Sequence, residues 1–174
     1  EKLNPTGYKP NVVHKTLALM EEKGLLSSII TQNIDGLHEM AHSKNVLNLH
    51  GTVYSNTCTK CHKKYDLKYV LESKEIPLCS CGGIIKPDVV LYEEPLDYEI
   101  LDKAINEIKS ADTLIIGGTS LLVYPAASLI NYFNGKHIIL INKEETKSDY
   151  KADIVIHDKL GNVFKKIKDA ITSL

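Results

Sequence analysis

Four cysteines are the residues whose spacing most clearly predicts chemistry. Cys58 and Cys61 form a Cys-x2-Cys pair, and Cys79 and Cys81 form a tighter Cys-x-Cys pair that two glycines follow. Four thiolates at these spacings can close a tetrahedral zinc site that leaves no position open for a water molecule. Glycine permits the backbone angles that a tight turn needs. We therefore predict one structural zinc ion held by the four cysteines, with a redox pair or free buried thiols as the alternatives.

Three polar segments each follow an apolar run that is typical of a buried strand. They are residues 31–35, 117–120 and 142–144. In open α/β sheets ligands bind at the carboxyl ends of the strands, near the point where the strand order reverses. We therefore expect these segments to contribute to one ligand site, although loops are often polar without binding anything.

The order of apolar runs predicts an α/β fold. Strands are expected at residues 26–30, 45–49, 88–91, 113–116, 137–141 and 153–156, and helices at 11–23, 97–109, 125–132 and 161–171. Asn11 and Asp97 are suitable N-cap residues for the first two of these helices. Strands that alternate with helices indicate a Rossmann-like, mainly parallel sheet with helices on both faces. The cysteine segment interrupts this alternation, so we assign residues 1–53 and 88–174 to the Rossmann-like domain and 54–87 to a small zinc-binding lobe.

Composition restricts the partners and the location. The chain has 174 residues, a formal net charge of −1 and 43% hydrophobic residues, which is ordinary for a globular protein. We predict no direct nucleic acid binding, because the basic residues form no block. No apolar run reaches the roughly 18 residues of a membrane span, and no export signal is evident, so we expect a cytoplasmic protein.

Five segments resemble motifs of the sirtuin family, in its bacterial type, and they occur in the family's order around the cysteines. They are residues 31–38, 49–51, 86–94, 118–127 and 141–146. The resemblance implies an NAD-dependent protein-lysine deacetylase or deacylase that releases nicotinamide and O-acyl-ADP-ribose. Its partner would be an acylated-lysine protein or peptide. Sirtuin-type mono-ADP-ribosyl transfer and a non-catalytic, zinc-containing binding fragment are the alternatives.

The resemblance also implies residue roles. His50 would be the general base that activates a ribose hydroxyl, and Asn33 would be a second catalytic residue. The implied NAD contacts are Gln32, Asn33, Ile34, Asp35, Gly118, Thr119, Ser120, Asn142, Lys143, Glu144 and Leu160. The implied peptide contacts are Val90, Leu91 and Val123, for which a plain core role is the alternative.

The family's first βα unit carries a Gly-Ala-Gly loop that holds the pyrophosphate of NAD. No such loop occurs in residues 1–174, so the matching segment would precede Glu1. We therefore expect the 174-residue chain alone to bind NAD weakly.

Overall fold

A computed structural model describes residues 4–119 and 126–173. Its α-helices are α1 Val12–Glu22, α2 Leu37–Met40, α3 Leu67–Glu72, α4 Tyr98–Ser110 and α5 Leu160–Thr172. Its strands are β1 Ile29–Thr31, β2 Val46–Asn48, β3 Gly51–Cys58, β4 Lys64–Asp66, β5 Ile85–Val89, β6 Thr113–Gly117, β7 His137–Ile141 and β8 Ile154–Ile156. Two 3₁₀ helices cover Ala126–Tyr132 and Asp149–Lys151.

The parallel strands form two groups in the described part of the chain. Strands β1 and β2 pair with each other, and a second sheet has the order β6-β7-β8. In the second sheet Gly117 lies opposite Ile141, which lies opposite Ile156. The carboxyl ends of all three strands therefore lie along one edge, as the sequence predicts for the segments that follow β6 and β7.

Helices cover both faces of the β6-β7-β8 sheet. On one face Leu114 packs with Ala104 and Ile108 of α4 and with Leu129 of the first 3₁₀ helix. On the other face Ile115, Ile139 and Ile141 pack with Met20 of α1 and with Phe164 and Ile171 of α5. Since neighbouring strand residues point to opposite faces, β6 contributes to both cores. The predicted α/β, Rossmann-like fold with helices on both faces is confirmed.

A third sheet, in the order β4-β3-β5, is antiparallel; Cys58 ends β3, and the other three cysteines lie in the connections between its strands. The carboxylate of Asp88 on β5 ties its three strands together. It accepts hydrogen bonds from Ser55 Oγ at 2.5 Å and Thr57 Oγ1 at 2.6 Å on β3, and from Lys64 Nζ at 2.8 Å on β4. One carboxylate therefore crosslinks residues from all three strands.

Two elements differ from the expectation. Residues 88–91 were expected to form a strand of the parallel sheet, but the strand here is Ile85–Val89, and it pairs antiparallel with β3. This pairing depends on contacts between distant residues that local hydrophobicity does not specify. The expected helix at 125–132 is a 3₁₀ helix over Ala126–Tyr132, and Pro125 lies outside the described residues. At seven residues this helix is longer than most 3₁₀ segments, which rarely exceed about three or four residues.

The predicted caps are present. The side chain of Asn11 accepts from Val13 N and His14 N, and that of Asp97 accepts from Glu99 N and Ile100 N. The boundary of the zinc-binding lobe at residues 54–87 stays a prediction. We propose a separate lobe on the basis of the antiparallel sheet, whose strands extend slightly beyond that boundary, from Gly51 to Val89. In the described ranges no helix has the length and apolar character that a membrane crossing requires.

Candidate active site and zinc centre

The four cysteines meet at one point. Their sulfur atoms all lie within 4.8 Å of one another, with Cys58 Sγ 3.6 Å from Cys81 Sγ and Cys61 Sγ 3.5 Å from Cys79 Sγ. Sulfurs around a tetrahedral zinc ion, with Zn–S near 2.3 Å, stand about 3.8 Å apart. The arrangement therefore fits one structural zinc ion, as the spacing predicts.

Backbone geometry holds the two cysteine turns in place. Lys60 N and Cys61 N point at Cys58 Sγ from 3.4 and 3.5 Å. Gly82 has φ +77°, which an L residue rarely adopts, as expected of a tight turn. Gly83 is needed for a different reason: a Cβ there would lie 2.6 Å from Cys58 Sγ. One glycine thus permits the turn and the other permits close packing around the sulfurs.

The sulfur cluster spreads the pKa values of its thiols widely. The Cys81 amide and then the Tyr65 hydroxyl lower the pKa of Cys79 to about 5. The Lys63 amide lowers the pKa of Cys61, but hydrogen bonding with the three neighbouring sulfurs outweighs it and raises that pKa to about 12. Donors that lower the pKa of Cys79 favour its thiolate, which is the form that binds zinc.

His50 lies just beyond β2, where the backbone fixes its imidazole. Its Nδ1 is 3.0 Å from the carbonyl oxygen of Gln32, and its own carbonyl accepts from Val90 N at 3.0 Å. A carbonyl oxygen can only accept a hydrogen bond. Nδ1 of His50 therefore carries the ring proton and donates a hydrogen bond to the Gln32 carbonyl. The lone pair of the neutral ring is then on Nε2, which is the arrangement a general base needs.

Gly51 follows His50 because no other residue fits there. Its φ is +74°, and a Cβ at this position would overlap the backbone carbonyl of Asp88. The Leu-His-Gly sequence therefore lets β3 begin directly beside β5 while His50 remains at the end of β2.

The segment that follows β1 is held by short-range hydrogen bonds. Thr31 Oγ1 accepts from Asn33 N at 3.1 Å, and Asp35 Oδ1 accepts from Leu37 N at 3.0 Å. The carbonyl of Ile34 accepts from Val53 N at 3.2 Å. Asn33 itself is exposed, and its side chain makes no hydrogen bond within the described ranges. The backbone of the segment is thus fixed while polar side-chain atoms stay available.

A cleft of about 280 Å³ opens beside this segment. Its lining residues are Asn4, Pro5, Tyr8, Ile34, Asp35, Leu37 and Val53. This volume lies just below the range of roughly 300–1,000 Å³ for sites of drug-sized ligands, so the cleft suits a small ring rather than a whole dinucleotide. The sequence indicated Ile34 and Asp35 but gave no sign of Pro5 or Tyr8, which reach the cleft only through tertiary folding.

The edge of the β6-β7-β8 sheet brings a second set of predicted residues together. Gly118 has φ +65° and donates from its amide to Ile141 O at 3.1 Å. A Cβ on Gly117 would lie 2.6 Å from Leu160 Cδ1, so Leu160 at the start of α5 packs directly on this turn. Asn142 Nδ2 donates to Glu144 O at 2.9 Å. Lys143 and Glu144 are exposed and Thr119 is half-buried, whereas the predicted residues Ser120 and Val123 lie outside the described residues.

The two described peptide-contact candidates have different surroundings. Val90 packs against the core cluster that contains Leu49 and Leu96. Leu91 is 50% exposed, and its amide donates to Glu94 Oε2 at 3.0 Å. Glu94 also pairs with Lys86 Nζ at 2.6 Å. The contacts of Glu94 therefore hold the loop after β5 in place, and the Leu91 side chain is exposed to solvent.

Two buried histidines, His14 of α1 and His38 of α2, pack against each other. The rings of His14 and His38 are 4.7 Å apart, and each residue is only 8% exposed. Burial lowers the pKa of both, and the neighbouring His14 lowers that of His38 further, against opposing effects of Glu39 and Asp35. Both imidazoles are therefore neutral at neutral pH and join α1 to α2.

These features define a class: a Rossmann-like protein with a four-cysteine zinc centre and a polarised imidazole at the ends of parallel strands. The sequence profile of the Sir2 family matches residues 1–125. The chain belongs to the Sir2 family.

Individual relatives and structures agree with this assignment. An NAD-dependent protein deacetylase of Clostridium perfringens is 61% identical over 170 residues, which cover 97% of this chain and 70% of that protein. One of Clostridium acetobutylicum is 54% identical over 169 residues, or 96% of this chain and 69% of that protein. A solved Sir2 structure with a p53 peptide and NAD+ is similar with a TM-score of 0.91 and 37% identity, covering 98% of this chain and 73% of that chain.

A second solved Sir2 structure contains an inhibitor, 2′-O-acetyl-ADP-ribose and deacetylated p53 peptide. It too has a TM-score of 0.91 and 37% identity, and the match covers 97% of this chain and 74% of that chain. The relatives are thus similar to this chain over nearly all of its length.

Proposed function

We propose that this protein is an NAD-dependent protein-lysine deacetylase that releases nicotinamide and O-acetyl-ADP-ribose. The observation that carries the proposal is the hydrogen bond from His50 Nδ1 to the Gln32 carbonyl, at 3.0 Å, which ties His50 to the segment whose next residues, Ile34 and Asp35, line the cleft. The relatives named NAD-dependent protein deacetylase support the same reaction.

His50 acts as the general base in this proposal. Bound NAD supplies the nicotinamide leaving group and the ribose that accepts the acyl group. With Nδ1 held by the Gln32 carbonyl, Nε2 of His50 accepts the proton of a ribose hydroxyl. The fixed ring costs no reorganisation when the proton moves, which favours transfer in the required direction.

Asp35 and its neighbours hold the nicotinamide end. One carboxylate oxygen of Asp35 accepts from Leu37 N, so the other faces no competing donor within the described residues and can accept from the carboxamide NH₂. Ile34 supplies an apolar wall of the same cleft. Asn33 and Gln32 contribute side-chain amides that can bind a ribose hydroxyl or a water molecule.

The turn at Gly118 and the segment after β7 hold the adenosine end. In this proposal Gly118 forms the turn with its amide bonded to Ile141, Thr119 and Ser120 supply hydroxyls, and Asn142 supplies a side-chain amide. Lys143, Glu144 and Leu160 surround the adenine. Since Gly117 already touches Leu160, a flat base can rest against this leucine without further movement of α5.

The peptide with its acylated lysine adds as a strand beside the loop after β5. Val90, Leu91 and Val123 line its path, and main-chain hydrogen bonds give affinity with little sequence preference. A cytoplasmic location and the lack of direct nucleic acid binding stay predictions.

The test is a mass balance on the longest polypeptide that the gene encodes. With NAD and an acetyl-lysine peptide, we expect one nicotinamide for each peptide deacetylated, together with O-acetyl-ADP-ribose. Little nicotinamide should form when the peptide is omitted. Transfer of labelled ADP-ribose onto protein without deacetylation would instead indicate ADP-ribosyl transfer. Absence of any nicotinamide release would indicate a non-catalytic binding protein.

A further inference from the structure

Tyr65 places its hydroxyl against one sulfur of the zinc centre. The distance from Tyr65 Oη to Cys79 Sγ is 2.9 Å, and the hydroxyl donates. Tyr65 lies on β4, where it is paired with Asn56 of β3, and its ring packs against the buried cluster of Cys58, Cys79 and Ile85. The strand pairing and the packing restrict the position of the Tyr65 ring. They therefore hold its hydroxyl against Cys79 Sγ.

The two cysteine turns support their sulfurs differently. The longer turn directs two backbone amides, those of Lys60 and Cys61, at Cys58 Sγ. The second turn is one residue shorter and directs one backbone amide, that of Cys81, at Cys79 Sγ, and the Tyr65 hydroxyl on β4 supplies a second donor there. A thiolate is a charged acceptor, and hydrogen bonds to charged groups are about twice as strong as neutral ones.

We propose that Tyr65 is a positioning residue of the zinc centre, whose hydroxyl orients the Cys79 thiolate and retains the metal. Groups that orient metal ligands in this way typically change metal affinity by about 10–100-fold when they are removed. The hydroxyl compensates for the shortened Cys-x-Cys turn. This inference rests on the zinc assignment and not on the proposed deacetylase activity.

A matched control, Tyr69, lies four residues along the chain in α3. Tyr69 lies 4.6 Å from Tyr65 between ring centroids, and its hydroxyl donates to the carbonyl of Leu78 at 2.9 Å. Tyr69→Phe removes the same atom from a neighbouring ring, next to the same cysteine turn, without removing a donor to sulfur. The difference between the two variants therefore isolates the O–H···S hydrogen bond.

The experiment measures the transfer of zinc from the full chain to a competing chelator and the thiolate-to-metal charge-transfer band of the cobalt-substituted protein. We expect Tyr65→Phe to lower zinc affinity about 10–100-fold and to shift the cobalt band. Tyr69→Phe should leave both within about twofold of the parent, because its hydroxyl contacts no ligand atom. Equal behaviour of the two variants, or a Tyr65→Phe protein that matches the parent, overturns the proposal.

A second measurement needs no variant and so does not depend on how Tyr65→Phe folds. In the cadmium-substituted parent, NMR should detect a slowly exchanging Tyr65 hydroxyl proton with scalar coupling to the metal through Cys79 Sγ. A rapidly exchanging hydroxyl proton without coupling would contradict the proposed hydrogen bond.

Discussion

The zinc centre and the strand-end site use polar atoms in opposite ways. In the zinc centre the sulfurs of Cys58, Cys61, Cys79 and Cys81 face one another, and surrounding N–H and O–H groups point at them. At the strand ends the backbone is equally well bonded, yet the Asn33 side chain and His50 Nε2 point to no partner within the described ranges. The four cysteines of the zinc centre form a complete ligand set within the chain, whereas the strand-end site has polar atoms available to bind a ligand.

This difference separates a site that stabilises the fold from one that does chemistry. A closed tetrathiolate site contributes its binding free energy to folding and offers no position for a substrate. A general base must instead keep an unoccupied lone pair in a fixed place, which the Gln32 carbonyl secures for His50. We therefore expect changes at the zinc centre to alter stability and changes at the strand ends to alter catalysis.

Removal of zinc should have the largest effect and should act on one part of the chain. Structural zinc contributes about 10–16 kcal/mol of apparent binding free energy in small zinc domains. With a strong chelator we expect amides of the β4-β3-β5 sheet to exchange hydrogen quickly, while those of the β6-β7-β8 sheet stay protected. Hydrogen-exchange mass spectrometry measures both in one experiment. Uniform loss of protection, or none, would show that the two regions are not independent.

Replacement of Asp88 should have an intermediate effect on the same antiparallel sheet. Asp88→Asn weakens three charge-assisted hydrogen bonds, so we expect a loss of about 1–3 kcal/mol in the free energy of unfolding. Urea denaturation of the zinc-loaded protein measures it. The control is Glu72→Gln, which breaks an exposed pair with Lys68 at 3.8 Å and should cost less than about 0.5 kcal/mol. Similar urea midpoints for the two variants would show that Asp88 does not stabilise the sheet as a crosslink.

The pH dependence of this contribution has a definite sign. Burial would raise the pKa of Asp88, but hydrogen bonds from Lys64, Ser55 and Thr57 outweigh burial and lower it. Its stabilisation is therefore present above the ordinary value of 3.8 and is lost as pH falls from there through the lower folded-state pKa. Asp88→Asn should abolish this part of the acid transition.

The buried histidine pair, His14 and His38, lies near the strand-end site and should have the smallest effect on the free energy of unfolding. Burial, and then the charge of His14, lower the pKa of His38, so the unfolded chain binds a proton that the folded chain does not. Stability should therefore fall as pH drops below 6.5, by less than about 1.4 kcal/mol per pH unit for each histidine. His38→Gln should flatten this slope and His137→Gln, at an exposed position, should not. Equal slopes in the two variants would assign the pH dependence to other groups.

Features set by neighbouring residues could be predicted from the sequence. The cysteine spacing predicted the sulfur cluster, and the N-caps Asn11 and Asp97 predicted the starts of α1 and α4. The apolar run at His137–Ile141 matches β7 residue for residue. In each case the physical cause, a turn, a cap or an uninterrupted apolar strand, lies within a few residues of chain.

Features set by distant contacts could not be predicted. Residues 85–89 pair with β3 rather than with the parallel strands, because the partner of a strand depends on the whole fold. Tyr8 lines the cleft, and Tyr65 reaches Cys79, only through packing between distant segments. The same holds for His50: the motif indicates a base, but only the position of the Gln32 carbonyl determines which ring nitrogen is free.

We propose that His50 Nε2 removes a proton from a ribose hydroxyl after nicotinamide has left. The most direct test compares two reactions of one variant, His50→Ala, in the longest polypeptide that the gene encodes. Exchange of labelled nicotinamide into NAD should persist, while deacetylation should fall about 10²–10⁴-fold, the usual contribution of a positioned base.

His137→Ala, at an exposed position on β7, serves as the control and should leave both reactions unchanged. Circular dichroism and zinc content of both variants must match those of the parent. We expect His50→Ala to keep nicotinamide exchange and to lose deacetylation. A folded, zinc-loaded His50→Ala protein that deacetylates the peptide at nearly the parental rate would contradict it.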